Sequence, residues 1–228
     1  MPWLVHAFTA SGALLAYLAV TDIAAGDLRR AFLWLAASTL VDSVDGALAR
    51  LVNVKARAPM LNGARLDDIV DYLTFVFAPA FALHHGGFLP DGIAGWVVVT
   101  VVLVSSALGF SREDAKTADH FFTGFPSYWN IVAVYMAALG LPAGANAAIL
   151  LVLAAGVFVP IGYVYPSRTP RLRELTVGLG IVWGLVLLAI ILQLPNAPRS
   201  LVLASLAYPA YYVGLSLVLQ RSRTSSTG

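Results

Sequence analysis

Long apolar stretches alternate with short polar connections along the whole chain. Most of these stretches approach the roughly 20 apolar residues that a helix needs to cross a bilayer. Glycine, proline and charged residues mark the connections, as is typical of turns between helices. Hydropathy therefore predicts eight spanning segments, which lie near residues 4–25, 31–52, 66–84, 93–110, 127–141, 146–165, 174–193 and 199–219.

The composition places the chain outside the soluble globular class. Of its 228 residues, 59% are apolar and 11% are charged, and the mean hydropathy is +0.81. Soluble domains average about 45–50% apolar and about 25% charged residues. We predict an all-α polytopic membrane bundle that forms a single domain over residues 1–228. The absence of cysteine excludes thiolate catalysis, disulfides and cysteine-ligated metals.

Basic residues predict the orientation of the bundle. If the N-terminus is cytoplasmic and there are eight spans, ten basic residues fall in inner segments: Lys55, Arg57, Arg65, Arg112, Lys116, Arg168, Arg171, Arg173, Arg221 and Arg223. Only Arg29, Arg30 and Arg199 fall outside. Because basic residues concentrate in cytoplasmic loops, both termini are predicted to be cytoplasmic. The net charge of +2 is too small to indicate a nucleic-acid partner and fits lipid headgroups better.

Acidic residues are concentrated near the inner ends of the second and third predicted spans. A charge at the centre of a spanning helix costs about 2.5–3.5 kcal/mol, so such residues face the protein interior or a wet cavity. Asp42 and Asp45 share one helix face, and Asp67 and Asp71 share a face of the next helix. These four carboxylates suit two hard divalent cations, Mg²⁺ or Mn²⁺. Asp68 points to a different face of its helix than Asp67, and it is expected to support the metal-binding acids indirectly.

Small residues and one arginine accompany the acids. Gly46 and Ala49 follow the first acidic pair by four residues and leave a groove against the helix. Arg50 comes next, with a guanidinium that suits phosphate oxygens, and Gly63 lies just before the second pair. Together these residue types predict a diphosphate site with bound metals. The alternative is a polar seam between helices.

The acids and small residues follow one pattern, Asp42-x2-Asp45-Gly46-x2-Ala49-Arg50-x12-Gly63-x3-Asp67-x3-Asp71. This pattern resembles the signature of the CDP-alcohol phosphatidyltransferase family, although the 12-residue gap is longer than usual. The resemblance implies a membrane enzyme that transfers a phosphatidyl group from CDP-diacylglycerol to an alcohol and releases CMP. It also implies a divalent-metal requirement and an active site on the cytoplasmic face of the bacterial inner membrane.

The resemblance also implies roles for the matching positions. The four acids, Asp42, Asp45, Asp67 and Asp71, are expected to bind two divalent ions, and Asp71 is also the expected general base. The expected CDP-diacylglycerol-binding residues are Thr9, Ser11, Gly46, Ala49, Arg50 and Gly63. For Thr9 and Ser11, a hydrogen bond to a carbonyl of their own helix is the alternative.

Three further segments, 6–12, 63–72 and 116–130, resemble bacterial members of this family whose acceptor is choline. A quaternary ammonium cannot donate strong hydrogen bonds, so aromatic faces beside a carboxylate are its expected binding site. We predict weak candidates for this role at Tyr72, Asp119, Tyr128 and Trp129. An interfacial aromatic belt is the alternative for any single ring. Membrane phospholipid is expected both to surround the protein and to be the product of its reaction. Whether the protein forms a homodimer is left open.

Three other functions compete with this hypothesis. Within the family, the acceptor could be serine, inositol or glycerol phosphate, although a phosphate-bearing acceptor would require additional basic residues near the site. A membrane prenyltransferase carries two separated Asp-rich motifs and lacks the Gly-x2-Ala-Arg pattern. A cation transporter predicts acids deep in discontinuous helices and repeated halves, neither of which is visible here.

Overall fold

The computed structural model describes residues 2–115, 117, 121–166, 168–169 and 171–224, with side chains described as far as residue 220. The helices in chain order are α1 Pro2–Ala24, α2 Leu28–Leu51, α3 Val54–Arg57, α4 Gly63–Asp71, α5 Ala78–His85, α6 Ile93–Phe110, α7 Trp129–Leu139, α8 Ala143–Gly156, α9 Arg173–Leu192, α10 Arg199–Ser205 and α11 Ala207–Thr224. A π-helical segment, Tyr72–Phe77, joins α4 to α5. Two short strands, β1 Phe121–Thr123 and β2 Gly162–Val164, pair antiparallel.

Five helical stretches in the described chain are long and apolar enough to cross a membrane. They are Pro2–Ala24, Leu28–Leu51, Ile93–Phe110, Arg173–Leu192 and Arg199–Gln220. The predicted helical membrane bundle is therefore confirmed. Each of the other predicted segments also contains a helix, but α7 and α8 are shorter than the roughly 20 residues of a full span. Eight crossings and cytoplasmic termini remain predictions.

The first two helices form a tight hairpin. Gly26 adopts a φ of +82° in the turn, a conformation that glycine reaches without steric cost. The Asp27 carboxylate then caps α2 by accepting a hydrogen bond from the Arg30 N–H at 3.0 Å. The Trp34 indole donates to Asp22 at 2.8 Å across the pair. This end of the hairpin is thus fixed, and the first acidic pair lies towards the opposite end of α2.

The predicted segment 66–84 is one continuous helical rod with an irregular middle. The π-helical segment begins directly after Asp71, and the Ala78 N–H donates to the Leu73 carbonyl. Pro79 follows at the second position of α5 and has no N–H to donate. The wider turn before Pro79 is consistent with that missing donor. Such π turns inside helices occur often at functional sites.

The predicted span 146–165 is wrong over its last nine residues. The α8 helix ends at Gly156, and residues 162–164 form β2 instead of continuing the helix. Pro160 cannot donate within a helix, which favours the break. The Phe125 N–H donates to the Gly156 carbonyl at 2.9 Å, and Phe122 pairs with Tyr163 in the sheet. The all-α prediction therefore holds except for this small sheet.

The long gap between Arg50 and Gly63 is folded. Its short helix α3 places Val54 and Ala58 in a small buried cluster with Val5 of α1. Burying these side chains ties the C-terminal end of α2 to the start of α1. The additional residues of this connection thus pack against the start of α1.

Candidate active site

Three of the predicted acids converge between α2 and α4. One carboxylate oxygen from each of Asp42, Asp67 and Asp71 lies within 4.8 Å of the other two. All three side chains are half-buried. Carboxylate oxygens at this spacing suit a hard divalent cation, so the donor set fits Mg²⁺ or Mn²⁺.

The position of α4 depends on close packing against α1. A Cβ atom added at Gly12 would stand only 2.5 Å from Cγ1 of Val70. Val70 is buried and directly precedes Asp71. The absence of a side chain at Gly12 thus sets how closely the second acidic pair approaches the α1–α2 hairpin.

Gly12→Ala is expected to lower the free energy of unfolding by about 1–3 kcal/mol and to slow catalysis. The added methyl group must displace Val70, whose β-branched side chain is stiff, and with it the carboxylate of Asp71. The melting temperature and the turnover rate in detergent check this. Gly184→Ala is the matched control, because no atom lies within 4 Å of a Cβ at that helical glycine. An unaltered rate in Gly12→Ala would contradict this account of α4.

An aromatic pocket opens on one side of the acids, with an open volume of about 170 Å³. Four carboxylates reach it, from Asp42, Asp67, Asp68 and Asp71. The rings along its walls are Phe75, Phe110, Phe122, Phe125, Tyr128 and Tyr165. The pocket therefore combines π faces with negative charge, the combination that binds organic cations.

A larger polar groove opens on the other side of the acids, with a volume of about 850 Å³. It contains Asp45 and the small-residue positions Gly46, Ala49 and Gly63. Its basic side chains are Arg50, Lys55 and Arg168. A groove of this size with several cations is suited to a ligand that is large and anionic.

The Asp67 side chain lines both cavities. The aromatic pocket and the polar groove are therefore adjacent and meet at the acidic cluster. A ligand in one cavity and a ligand in the other would therefore both reach the Asp67 carboxylate.

Residues 3–162 match the family described as CDP-alcohol phosphatidyltransferase, which is more than two thirds of the chain. The chain belongs to this family. It is 40% identical to a phosphatidylcholine synthase of Legionella pneumophila over 224 residues, which cover 94% of this chain and 86% of that protein. It is 38% identical to a phosphatidylcholine synthase of Pseudomonas aeruginosa over 215 residues, or 94% and 90% of the two chains. A relative of the same name in Legionella bozemanae is 42% identical over 192 residues, or 81% and 88%.

Asp45 lies outside the cluster that the other three acids of this CDP-alcohol phosphatidyltransferase form. Its side chain is only 6% exposed and lies on the polar groove, which it shares with Asp67. It is not one of the three acids whose oxygens lie within 4.8 Å in the described chain. The predicted set of four acids is thus divided into a triad and a neighbour on the groove side.

The predicted CDP-diacylglycerol-binding residues lie mostly on the groove. Arg50 folds back so that its Nη1 stands 3.4 Å from a Cβ built at Gly46. Gly63 packs beneath the ring of His6. The Thr9 hydroxyl lies on the groove but donates to the Val5 carbonyl at 3.3 Å. Ser11 is outside the groove lining and donates to the Phe8 carbonyl at 2.6 Å.

The residues predicted to bind choline lie in different surroundings in the structure. Tyr128 lies in the aromatic pocket. Trp129 is completely buried outside the pocket lining, and its indole donates to Ser106 at 2.7 Å. Tyr72 donates to the Leu103 carbonyl at 3.0 Å and packs edge-on against Phe110. Asp119 lies outside the described residues.

A left-handed backbone at Ser127 explains why adjacent rings face different surroundings. Its φ is +57°, a conformation that is costly for residues other than glycine. The Ser127 hydroxyl donates to Ser106 at 3.1 Å, as does the Trp129 indole. This network fixes the turn into α7, with Tyr128 at the pocket and Trp129 in the core.

Sequence reasoning missed Tyr165, which forms part of the aromatic wall. Its ring stacks on Phe122, with centroids 4.7 Å apart, and the Arg168 guanidinium lies 5.5 Å from its centre. Since Phe122 and Tyr165 are 43 positions apart in the chain, no local spacing signals this contact. The basic residues that follow Tyr165 could have drawn attention to this segment. Such a cluster is equally typical of a cytoplasmic loop, so it does not indicate a binding site.

A charged loop lies beside the pocket mouth. Arg112 donates two hydrogen bonds to Asp114, at 2.8 and 2.7 Å, and this pairing holds the pKa of the Asp114 carboxyl below its usual value. The Thr123 hydroxyl donates to the Asp114 backbone carbonyl at 2.8 Å. Thr123 and the neighbouring Ala115 both line the aromatic pocket. The loop is therefore attached to the pocket wall.

Proposed function

We propose that this chain transfers the phosphatidyl group of CDP-diacylglycerol to choline, giving phosphatidylcholine and CMP. The observation that carries the proposal is the position of Asp67 between a cationic groove and an acidic aromatic pocket. Family membership supports the donor and the reaction class. The relatives named phosphatidylcholine synthase support choline as the acceptor.

The polar groove is the proposed site for the CDP portion of the donor. The guanidinium of Arg50 offers paired donors to phosphate oxygens. Gly46, Ala49 and Gly63 keep side-chain bulk away from the groove floor, so that the cytidine and ribose can approach the helices. Thr9 lies on the same surface and is retained as a contact, whereas Ser11 is a weaker candidate because it is not in the groove lining.

Two divalent ions are proposed to lie between the groove and the pocket. Asp42, Asp67 and Asp71 would hold one ion, as the spacing of their oxygens supports. Asp45 and Asp67, which both line the groove, would hold the second. Mg²⁺ or Mn²⁺ bound there would supply neutralisation of the diphosphate charge and of the charge that develops on the departing CMP.

The aromatic pocket is the proposed choline site. The trimethylammonium group would rest against Tyr128, Tyr165 and the neighbouring Phe122, because π faces attract a cation that cannot donate strong hydrogen bonds. The carboxylate of Asp68 adds negative charge on the same wall. Of the two adjacent rings predicted from the sequence, Tyr128 is retained as a choline contact. Trp129 is not, because its ring is in the core. Tyr72 is retained as a more distant candidate.

Asp71 is the proposed general base. Its carboxylate lines the acceptor pocket and would take the proton from the choline hydroxyl. The choline oxygen then forms a bond to the lipid-side phosphorus, and the bond between that phosphorus and the CMP oxygen breaks. The electron pair of the broken bond leaves with CMP. Asp71 thus acts on the acceptor from the wall of the aromatic pocket.

The reaction is proposed to take place at the cytoplasmic face of the bacterial inner membrane. The five long apolar helices support a membrane location. The excess of basic residues in the predicted inner loops supports the cytoplasmic orientation of the site. The mass of the purified protein in detergent tests whether it forms a homodimer.

Purified protein with CDP-diacylglycerol and Mg²⁺ or Mn²⁺ is expected to release CMP when choline is added. Serine, inositol and glycerol 3-phosphate are expected to give no release above background, because the pocket offers rings and carboxylates rather than cations to the acceptor. EDTA is expected to abolish the signal, and added metal to restore it. Release with another alcohol alone would contradict the choline assignment. No release from folded protein with any acceptor would favour transport.

A further inference from the structure

The last helix hydrogen-bonds the free edge of β2. The Tyr212 hydroxyl donates to the Val164 carbonyl at 2.9 Å. The Val164 N–H donates to the Ser216 hydroxyl at 3.1 Å, and the Gly162 N–H donates to the Gln220 side-chain oxygen at 3.0 Å. These three α11 residues recur every four positions, so they form one stripe along the helix. We call them the α11 polar stripe.

The α11 polar stripe replaces a third strand of the sheet. The other edge of β2 pairs with β1, and an isolated two-stranded sheet is at best marginally stable. Val164 and Ser216 are 1% and 0% exposed, so removing the Ser216 hydroxyl leaves the Val164 N–H without water to replace it. The sheet therefore depends on α11 for its position.

The sheet in turn forms part of the aromatic pocket wall. Phe122 and Thr123 of β1 line the pocket, and Tyr165 follows β2 directly. Phe122 and Tyr165 stack across the pair of strands at 4.7 Å. A shift of β2 away from α11 would move Tyr165, whereas the acids are on different elements, α2 and α4.

The stripe lies beyond the region shared with the whole family. The family match ends at residue 162, at the start of β2, whereas Tyr212, Ser216 and Gln220 are all further along the chain. The clustered acids, by contrast, are all within the match, as are the groove residues other than Arg168. Through this stripe, α11 thus reaches the acceptor side of the site by way of β2.

We propose that Tyr212, Ser216 and Gln220 are positioning residues that set the affinity for the acceptor by holding β2 and Tyr165 in place. The inference rests on the proposed function, because it assigns the aromatic pocket to choline. It separates two properties of the enzyme. Donor binding depends on the groove, and acceptor binding depends in addition on the last helix.

The test compares Tyr212→Phe with Tyr211→Phe, the same substitution one residue away. Tyr211 pairs with Thr176 of α9 at 2.9 Å and does not contact β2 through that bond. We expect Tyr212→Phe and Ser216→Ala to raise the choline KM by about fivefold or more, with the CDP-diacylglycerol KM unchanged, because only acceptor binding is lost. Tyr211→Phe is expected to leave both KM values at the wild-type level.

A conservative rescue and a structural readout accompany the kinetics. Gln220→Leu removes the acceptor for the Gly162 N–H, whereas Gln220→Glu keeps an oxygen there and is expected to retain the wild-type choline KM. Hydrogen exchange at the amides of residues 162–164 is expected to accelerate in Tyr212→Phe and Ser216→Ala but not in Tyr211→Phe. Equal increases in both KM values, or an unchanged choline KM with faster exchange, would overturn the proposal.

Direct choline binding separates this inference from the proposed function. If wild-type protein binds choline by calorimetry but releases no CMP, the proposed function fails, and weaker choline binding by Tyr212→Phe than by Tyr211→Phe still supports the stripe. Equal choline binding by the two variants would overturn the inference while leaving the transfer reaction intact. Wild-type protein that binds no choline would overturn both.

Discussion

Asp71→Asn is expected to lower kcat for CMP release by about 10²–10⁴-fold, the usual contribution of a general base. The amide is nearly the same size as the carboxylate but cannot take the proton from the acceptor hydroxyl. The residue is at the last position of α4, directly before the π-helical segment, and it faces the aromatic pocket. The rate is measured at saturating choline and CDP-diacylglycerol, and donor binding is measured separately and is expected to persist.

Asp67→Asn distinguishes proton transfer from metal binding. Both residues belong to the acidic triad, so each substitution weakens the proposed ion site. High Mg²⁺ or Mn²⁺ is expected to restore part of the rate in Asp67→Asn but not in Asp71→Asn, because added metal cannot replace a base. Asp91→Asn is the matched control, since that exposed aspartate lies in the α5–α6 connection, away from the site. Equal rescue of the two site variants would leave Asp71 as a metal ligand only.

The spacing of the acids predicted a cluster of four, of which three converge. Residues three or four positions apart share a helix face, and a short connection makes consecutive helices antiparallel neighbours. Asp42, Asp67 and Asp71 converge as this argument requires. The same argument could not separate Asp45 from the other acids, because its position on the groove depends on how α1 and α3 pack around the end of α2.

The acceptor side of the site could be predicted only in part. Aromatic residues near position 125 were visible in the sequence, but hydropathy alone does not show which ring faces a pocket and which fills the core. The answer depends on the left-handed turn at Ser127 and on the sheet that brings Tyr165 beside Phe122. Apolar strands of three residues inside longer apolar stretches give no distinct period, so the hydropathy pattern merged β2 into a predicted helix.

Tyr128→Ala is expected to raise the choline KM by about 3- to 30-fold with a smaller change in kcat, as loss of a cation–π contact would. The ring of Tyr128 lies in the same pocket as the carboxylates of Asp42 and Asp71. Trp129→Ala is expected instead to lower the free energy of unfolding by about 3–5 kcal/mol, because it empties a completely buried site. The measurements are acceptor kinetics and melting temperatures in detergent.

Conservative substitutions separate ring contact from packing at these adjacent positions. Tyr128→Phe keeps the π face and is expected to retain most of the affinity for choline. Trp129→Phe keeps much of the buried volume but loses the indole donor to Ser106, so it should destabilise the fold less than alanine does. A higher choline KM in a well-folded Trp129 variant, together with an unchanged KM in Tyr128→Ala, would place the ammonium site elsewhere. The opposite pattern would assign the contact with choline to Tyr128 and a packing role to Trp129, as their places in the pocket and the core predict.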